Sequence, residues 1–435
     1  MNIVPTRTIS KTGPGLIGLR RAGMLALLLL AGCATGPQPR ELPTEVVPLD
    51  RATAELPAED VLNVNIVRFE ANVPSDPEFR EVEEVFTDVR NAEARYVPYT
   101  LRQTLQRSGQ WGDVRVVPES MEGAELEVSG RILDSHGEEL TLAIQARDAT
   151  GRVWLDRNYS ETINAARYQV STAHGEDPFQ SLYNRIANDL ARARARLQAE
   201  EKRQIAEVAE LSFAAQLAPE AYQSQLVEAQ DGRLQARSSG ANPLAGPIEQ
   251  ARRRDARMVD ILDQHYSDFH ASMEVPYGDW REASQREMQN LRELRRQANT
   301  RKALGALAVL GGLFGAIESD SDLGRLASQA AIIGGIYAIS SGIDKSRQTA
   351  IHVESLRELG QSLERDLEPR VMDLQDKTVR LTGSAEAQYA QWREILSEMV
   401  AEQRELMEAD AAERSAAASV PAGAGLGAGD GDSGQ

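Results

Sequence analysis

Thiol and imidazole chemistry have few places to occur in this chain, which carries one cysteine, Cys33, and five histidines. A lone cysteine cannot close an internal disulfide, so its thiol is a candidate for covalent attachment instead. His265 and His270 lie five positions apart. That spacing puts them off a common helix face, and with no third ligand beside them they do not make a zinc site. Glu318, Asp320 and Asp322 alternate along a short polar link and could meet Ca²⁺. The link lacks the further ligands and the glycine of a calcium loop, and helix capping and turn solubility account for its acids. There is no Gly-x-Ser-x-Gly elbow and no phosphate-cradling glycine loop after a strand; the glycines at 311–315 sit in an apolar run without a lysine. Trp111, Trp154, Trp280 and Trp392 suit core or interface positions. The expectation is a non-enzymatic protein with no catalytic residues, no metal site and no cofactor.

What stands in front of Cys33 gives the thiol a purpose. Arg20 and Arg21 precede an apolar run from Met24 to Ala31, and small residues sit at the end of it. A basic start, a short apolar core and a small-residue cut site make a secretory signal, not a transmembrane span. The stretch Leu30-Ala31-Gly32-Cys33 resembles the lipobox of bacterial lipoproteins. The resemblance implies cleavage before Cys33, which becomes the lipid-bearing first residue of the mature chain. An Asp at the next position favours inner-membrane retention in such lipoproteins, so Ala34 resembles the outer-membrane class.

Composition narrows the partners. The chain has a formal charge of −18; residues 1–32 contribute four bases, Arg7, Lys11, Arg20 and Arg21, and no acid, which leaves −22 on the rest. So acidic a protein is a poor binder of nucleic acid, or of anionic lipid through a general basic surface. Aromatics are 5% of residues, so the core is aliphatic and Ala-rich, which suits helix packing. The length after residue 32 suffices for more than one domain.

The elements expected are those of an α+β fold, a small α/β domain followed by a long helical region with an antiparallel helical hairpin and a Gly-rich apolar tip. Residues 1–32 read as the signal peptide, and 33–59, with Pro37, Pro39, Pro43, Pro48 and Pro57, as a flexible tether. Residues 60–198 read as the α/β domain. In it Val61–Phe69 is a strand with Val64, Ile66 and Phe69 inward. A helix runs from Glu81 to a stop at Gly109. Strands follow at Val114–Val117 and Glu125–Ile132, and a hairpin joins Leu140–Ile144 to Val153–Leu155 through Asp148-Ala149-Thr150-Gly151. Asp177-Pro178 is a cap with proline at the first helical position, opening a helix from Phe179 past Leu197. This order, with Ser108-Gly109-Gln110-Trp111, Val128-Ser129-Gly130-Arg131-Ile132 and Ala149-Thr150-Gly151-Arg152-Val153-Trp154, resembles the small α/β domain of TolB amino-terminal-like proteins. It is also similar to the curli-secretion lipoprotein and to lipoprotein activators of penicillin-binding proteins. The resemblance covers about a quarter of the chain and implies a periplasmic scaffold or adaptor domain.

Residues 199–247 read as a helix and linker, and 248–410 as the helical hairpin domain. Met258, Ile261, Leu262, Tyr266 and Phe269 follow helical spacing. Pro276-Tyr277-Gly278 is expected to break that helix, with a new one starting near Asp279 and carrying Met288, Leu291, Leu294 and Ala298. Val353, Leu356, Leu359, Leu363 and Leu367 form the returning stripe, and Pro369 kinks or ends it. Residues 411–435 read as a disordered tail.

The tip of the hairpin, 303–343, is the most unusual stretch. Its arms, Ala303–Ile317 and Leu326–Ile343, carry small residues every fourth position, Ala308, Gly312 and Ala316 in one and Ala330, Gly334, Ala338 and Gly342 in the other. With Gly311, Gly315 and Gly335 beside them, these form a glycine-zipper pattern that lets helix backbones approach closely. Each interior glycine costs about 1 kcal/mol relative to alanine, so lipid, another copy of the chain or its own helices must cover the arms. Arg301-Lys302 and Lys345-Arg347 flank the open end, as basic anchors of a hairpin dipping into a membrane would. A dry core inside a bundle is the other reading.

The leading expectation is an outer-membrane lipoprotein facing the periplasm. It is held by lipidated Cys33, acts as an envelope adaptor or scaffold on protein partners, and uses the hairpin for membrane insertion or self-assembly into a homo-oligomer. A component of a transport or pore assembly, and a regulator of an envelope enzyme, are the alternatives.

Overall fold

The computed structural model describes residues 45–76, 86–237, 242–315, 370–374 and 377–418. The fold is α+β. Five strands, β1 (Val64–Val67), β2 (Val114–Val117), β3 (Leu126–His136), β4 (Glu139–Asp148) and β5 (Val153–Thr162), form one sheet in the order β2-β1-β3-β4-β5. β1 lies parallel to both β2 and β3, while β3, β4 and β5 run antiparallel. Antiparallel neighbours need only tight turns, whereas the parallel β1–β2 pair needs a crossover. Helix α1 (Thr87–Ser108) supplies it and ends at Gly109, whose φ of +63° is the left-handed conformation glycine adopts most easily.

The first core lies between α1, α3 (Gln180–Ala195) and one face of the sheet. Val64, Ile66, Phe69, Leu101, Leu105, Leu126, Val128, Leu182, Ile186 and Leu190 meet there. Two expectations are corrected here. The helix after Asp177 does not run past Leu197: it ends at Ala195, and α4 (Ala199–Leu217) begins with Gln198 and Glu201 capping one another reciprocally. Asp177 lies three residues ahead of α3, where its carboxylate accepts the Phe179 N–H at 2.8 Å. A short helix, α2 (Ala165–His174), precedes that turn and was not expected.

The second core is helical. Helix α5 (Ala245–Gly315) is 71 residues long, and α6 (Ala385–Ala418) packs on its first part, with Phe213 and Leu217 of α4 between them. Arg393 meets Asp255 at 3.3 Å and Arg254 meets Met399 at 3.8 Å, while Tyr266 and Ala385 line one cavity. The pairings descend as α5 ascends, so the two helices are antiparallel. The small strands β6 (Leu226–Glu228) and β7 (Leu234–Ala236) pair beside α4. Strands β8 (Arg370–Leu374) and β9 (Lys377–Leu381) form a further antiparallel pair inside a stretch expected to be predominantly helical. Residues 411–418, expected as part of a disordered tail, are the last turns of α6; their alanines are the strongest helix formers.

Helix α5 does not break at Pro276. Proline forfeits one helix hydrogen bond and strains the preceding turn, about 3 kcal/mol. Met273, Tyr277 and Trp280 on either side are 0–2% exposed, and each buried side chain of this size contributes about 1.5–3 kcal/mol. The burial outweighs the break. The stripe Ile248, Ala251, Asp255, Met258, Leu262, Tyr266, Phe269, Met273, Tyr277, Trp280 and Ser284 is buried at steps of three and four, the period of one straight helix face. Among the described residues no helix is long and apolar enough to cross a membrane.

Candidate functional site

The feature that sets α5 apart is how the α/β body holds it. Helix α5 crosses α1 antiparallel. Arg102 pairs with Asp263 at 2.6 Å, Thr100 lies 3.1 Å from His270, Tyr96 meets Tyr277 and Phe86 meets Trp280. Asp263 also accepts the Val116 N–H of β2 at 2.8 Å, so one carboxylate ties α5 to both the sheet edge and α1.

Beyond Tyr266 the contact becomes a buried charged clasp. Arg281 reaches Asp177, in the turn before α3, at 2.9 Å, and the two side chains are 5% and 6% exposed. The guanidinium also lies over the Tyr277 ring at 4.3 Å, a position that favours a cation. Beside it Glu93 of α1, fully buried, accepts hydrogen bonds from the Tyr277 hydroxyl at 2.7 Å and from Ser135 of β3. Burial pushes the Glu93 carboxyl above the usual carboxylate range, against the opposing pull of Arg90 and its two hydroxyl donors.

The β3–β4 turn completes the clasp. Gly137 donates its N–H to Ser284 of α5 at 3.2 Å and accepts the Tyr168 hydroxyl at 2.5 Å. A Cβ on Gly137 would stand 2.1 Å from the Arg281 carbonyl oxygen and 2.2 Å from the Gln285 nitrogen. Helix backbone thus lies directly on turn backbone, an approach only glycine permits. The sum is a mechanical site, in which α1, β3, the turn before α3 and the β3–β4 turn fix the position and rotation of α5. The helix continues for thirty residues past Gln285 to Gly315.

The cavities nearby hold satisfied charges. A cleft of about 340 Å³ between β1, α4 and α5 is lined by Asn63, Glu125, Arg115 and Arg252 among others. There Arg115 pairs with Asp113 and Asp260, Arg252 with Glu210 and Glu249, and Glu125 accepts the Asn63 N–H at 2.6 Å. Burial pushes the Glu125 carboxyl up. Thr100 and His270 form a hydroxyl–imidazole pair that would suit acyl chemistry if open. Both are buried, the threonine hydroxyl donates to the Tyr96 carbonyl, and the imidazole stacks on Tyr96 at 4.2 Å. Burial lowers the His270 pKa to about 4, so it is a neutral packing group at ordinary pH.

The residues singled out by sequence fall as follows. Cys33, Glu318, Asp320, Asp322, Gly334, Gly335 and Gly342 lie outside the described residues. Gly311, Gly312 and Gly315 lie in the last turns of α5. His265 and His270 face different neighbours: His270 the Tyr96–Thr100 turn, His265 a cavity shared with Arg68, Tyr266 and Glu386. Trp111, Trp280 and Trp392 are buried, and Trp154 packs partly buried against the first core. The clasp itself was not foreseen. Its signal in the sequence is a charge set beside large apolar or aromatic positions, Arg281 directly after Trp280, and Glu93 between Val89 and Tyr96. No known protein-family model matches this chain, and comparison with curated proteins finds no match.

Proposed function

We propose that the protein is a non-enzymatic lipoprotein of the outer membrane that faces the periplasm and serves as an envelope adaptor, with α5 carrying a Gly-rich stretch away from the body for membrane insertion or self-assembly. The observation that carries the reading is the lone cysteine at the end of a leader, Leu30-Ala31-Gly32-Cys33. The clasp supports it: a body that spends buried charges on orienting one long helix suits positioning rather than turnover. The Gly-rich run that follows the clasp, with Gly311, Gly312 and Gly315 at the end of α5, supports close helix packing as the purpose of that orientation.

The test is membrane fractionation of Cys33→Ala with and without residues 303–343. Release of Cys33→Ala alone into the soluble fraction supports the lipid as the sole anchor and the glycine arms as a packing surface. Retention that disappears when 303–343 is deleted supports a second attachment through the hairpin. Unchanged processing and unchanged extraction of Cys33→Ala, with or without 303–343, overturns the reading. Replacing Gly312 and Gly334 with leucine is expected to prevent assembly or insertion. A ring-sized oligomer in detergent would favour the transport or pore assembly instead.

A further inference from the structure

The β3–β4 turn that seats α5 also gathers the one grouping, among the described residues, of three metal-ligating side chains: Asp134, His136 and Glu139. Strand geometry brings them together. Positions 134 and 136 share a face because side chains alternate, and Glu139 stands directly across from His136 in the ladder. Their ligand atoms all lie within 4.8 Å of one another. A first-row divalent ion binds nitrogen and oxygen at about 2.0–2.2 Å, so ligand atoms sharing it stand at most about 4.2 Å apart. Small side-chain rotations close that gap.

The surroundings favour loading. His136 Nε2 and Asp134 Oδ2 face each other at 3.8 Å, too far for a hydrogen bond and suited to two ligands of one ion. The other Asp134 oxygen lies 3.5 Å from Arg90. Glu139 Oε1 accepts hydroxyls from Thr141 and Ser160, each at 3.1 Å, which orients the carboxylate and leaves Oε2 for a metal, as outer-sphere partners of metal ligands do. Asp134 is 47% and His136 23% exposed, so water can complete the coordination.

We infer that Asp134, His136 and Glu139 form a binding site for a divalent transition-metal ion, of which Zn²⁺ is the type. The proposal goes beyond the adaptor reading and does not depend on it. Its position gives it a consequence. Gly137, between His136 and Glu139, bears the backbone of α5, and Ser135 donates to Glu93 of the clasp. Loading Nε2 leaves the ring proton on Nδ1, which now accepts the Glu138 N–H at 3.3 Å. That contact is given up, and the turn beneath α5 resets.

The experiment is calorimetric titration of Zn²⁺ into the metal-stripped full chain carrying Cys33→Ser, which removes the only thiol. One ion per chain is expected, weakened about tenfold or more by His136→Ala and by Glu139→Gln. Co²⁺ should give a visible ligand-field band that His136→Ala abolishes while its urea midpoint stays that of the parent. Hydrogen exchange at Arg281–Gln285 should change on loading. An absence of saturable binding, or binding unaltered in both variants, overturns the proposal; the latter outcome marks an adventitious surface ion only.

Discussion

Replacing Arg281 with methionine tests whether the clasp holds α5 by charge. Methionine keeps most of the length and apolar volume but leaves Asp177, 6% exposed, without its partner. Removing one member of a buried pair costs about 3–5 kcal/mol, chiefly because the surviving charge stays desolvated. Up to about 2 kcal/mol of that is the lost cation–aromatic contact with Tyr277. The remaining partner of Asp177, the Phe179 N–H, is already engaged and cannot compensate. Asp177→Asn combined with Arg281→Met removes both charges, so the double variant should be less destabilised than the sum of the singles by about 2–3 kcal/mol. Urea unfolding followed by tryptophan fluorescence measures all four chains, and hydrogen exchange at 270–285 shows whether α5 lifts first. If Arg281→Met costs less than about 1 kcal/mol, or the two substitutions simply add, the charged pair is not what fixes the helix.

Gly137→Ala should destabilise by about 1–3 kcal/mol and raise hydrogen exchange at Ser284 and Gln285, since the new Cβ collides with α5 backbone at 2.1 Å; unchanged exchange would mean the turn yields freely. His270, with its pKa lowered to about 4, stays neutral in the fold but protonates near 6.5 when unfolded. Its contribution is therefore complete above pH 6.5 and is lost as pH falls towards 4, about 2 kcal/mol by pH 5. Glu93, pushed up by burial, acts in the opposite sense, so the quantity to measure is the difference between wild type and His270→Gln, which should close as pH falls. Pro276→Ala should raise the urea midpoint by restoring a helix bond, about 3 kcal/mol less about 1 for the freer unfolded chain; a lower midpoint would show that α5 needs its proline to follow the body.

Much of the sheet is legible because its signals are local. Val64 and Ile66 alternate inward and Phe69 follows them into the core, Gly109 ends α1, and Asp148-Ala149-Thr150-Gly151 turns β4 into β5. What failed to show are features decided by distant partners. Pro276 reads as a break until Trp280 and Tyr277 are seen buried against α1. Asp177 reads as a helix cap because its other partner, Arg281, lies more than a hundred residues on. The hairpin of β8 and β9 hides in a run of charged residues just ahead of α6. Asp134 and His136 gain meaning only once the strand extends past Ile132 and pairs with Glu139. Asp255 and Arg393, which fix α6 on α5, belong to the same class: each side chain alone fits a solvated helix surface.

One face of α1 is closed by α3 and the sheet, but the other must wait for α5, whose contacts with it span 161 to 194 residues, from Arg102–Asp263 to Phe86–Trp280. During synthesis the chain therefore carries that face uncovered for a long interval, because contacts so far apart in sequence form late. A surface of leucines would invite association in that interval. Beside Val89 and Ala92, which cluster with Phe269, Met273, Tyr277 and Trp280, the face presents Glu93, Thr100 and Arg102, groups that water solvates well until the helix arrives and that then meet Tyr277, His270 and Asp263. The polar groups of the seam are thus open to water before α5 arrives and are paired in the clasp afterwards.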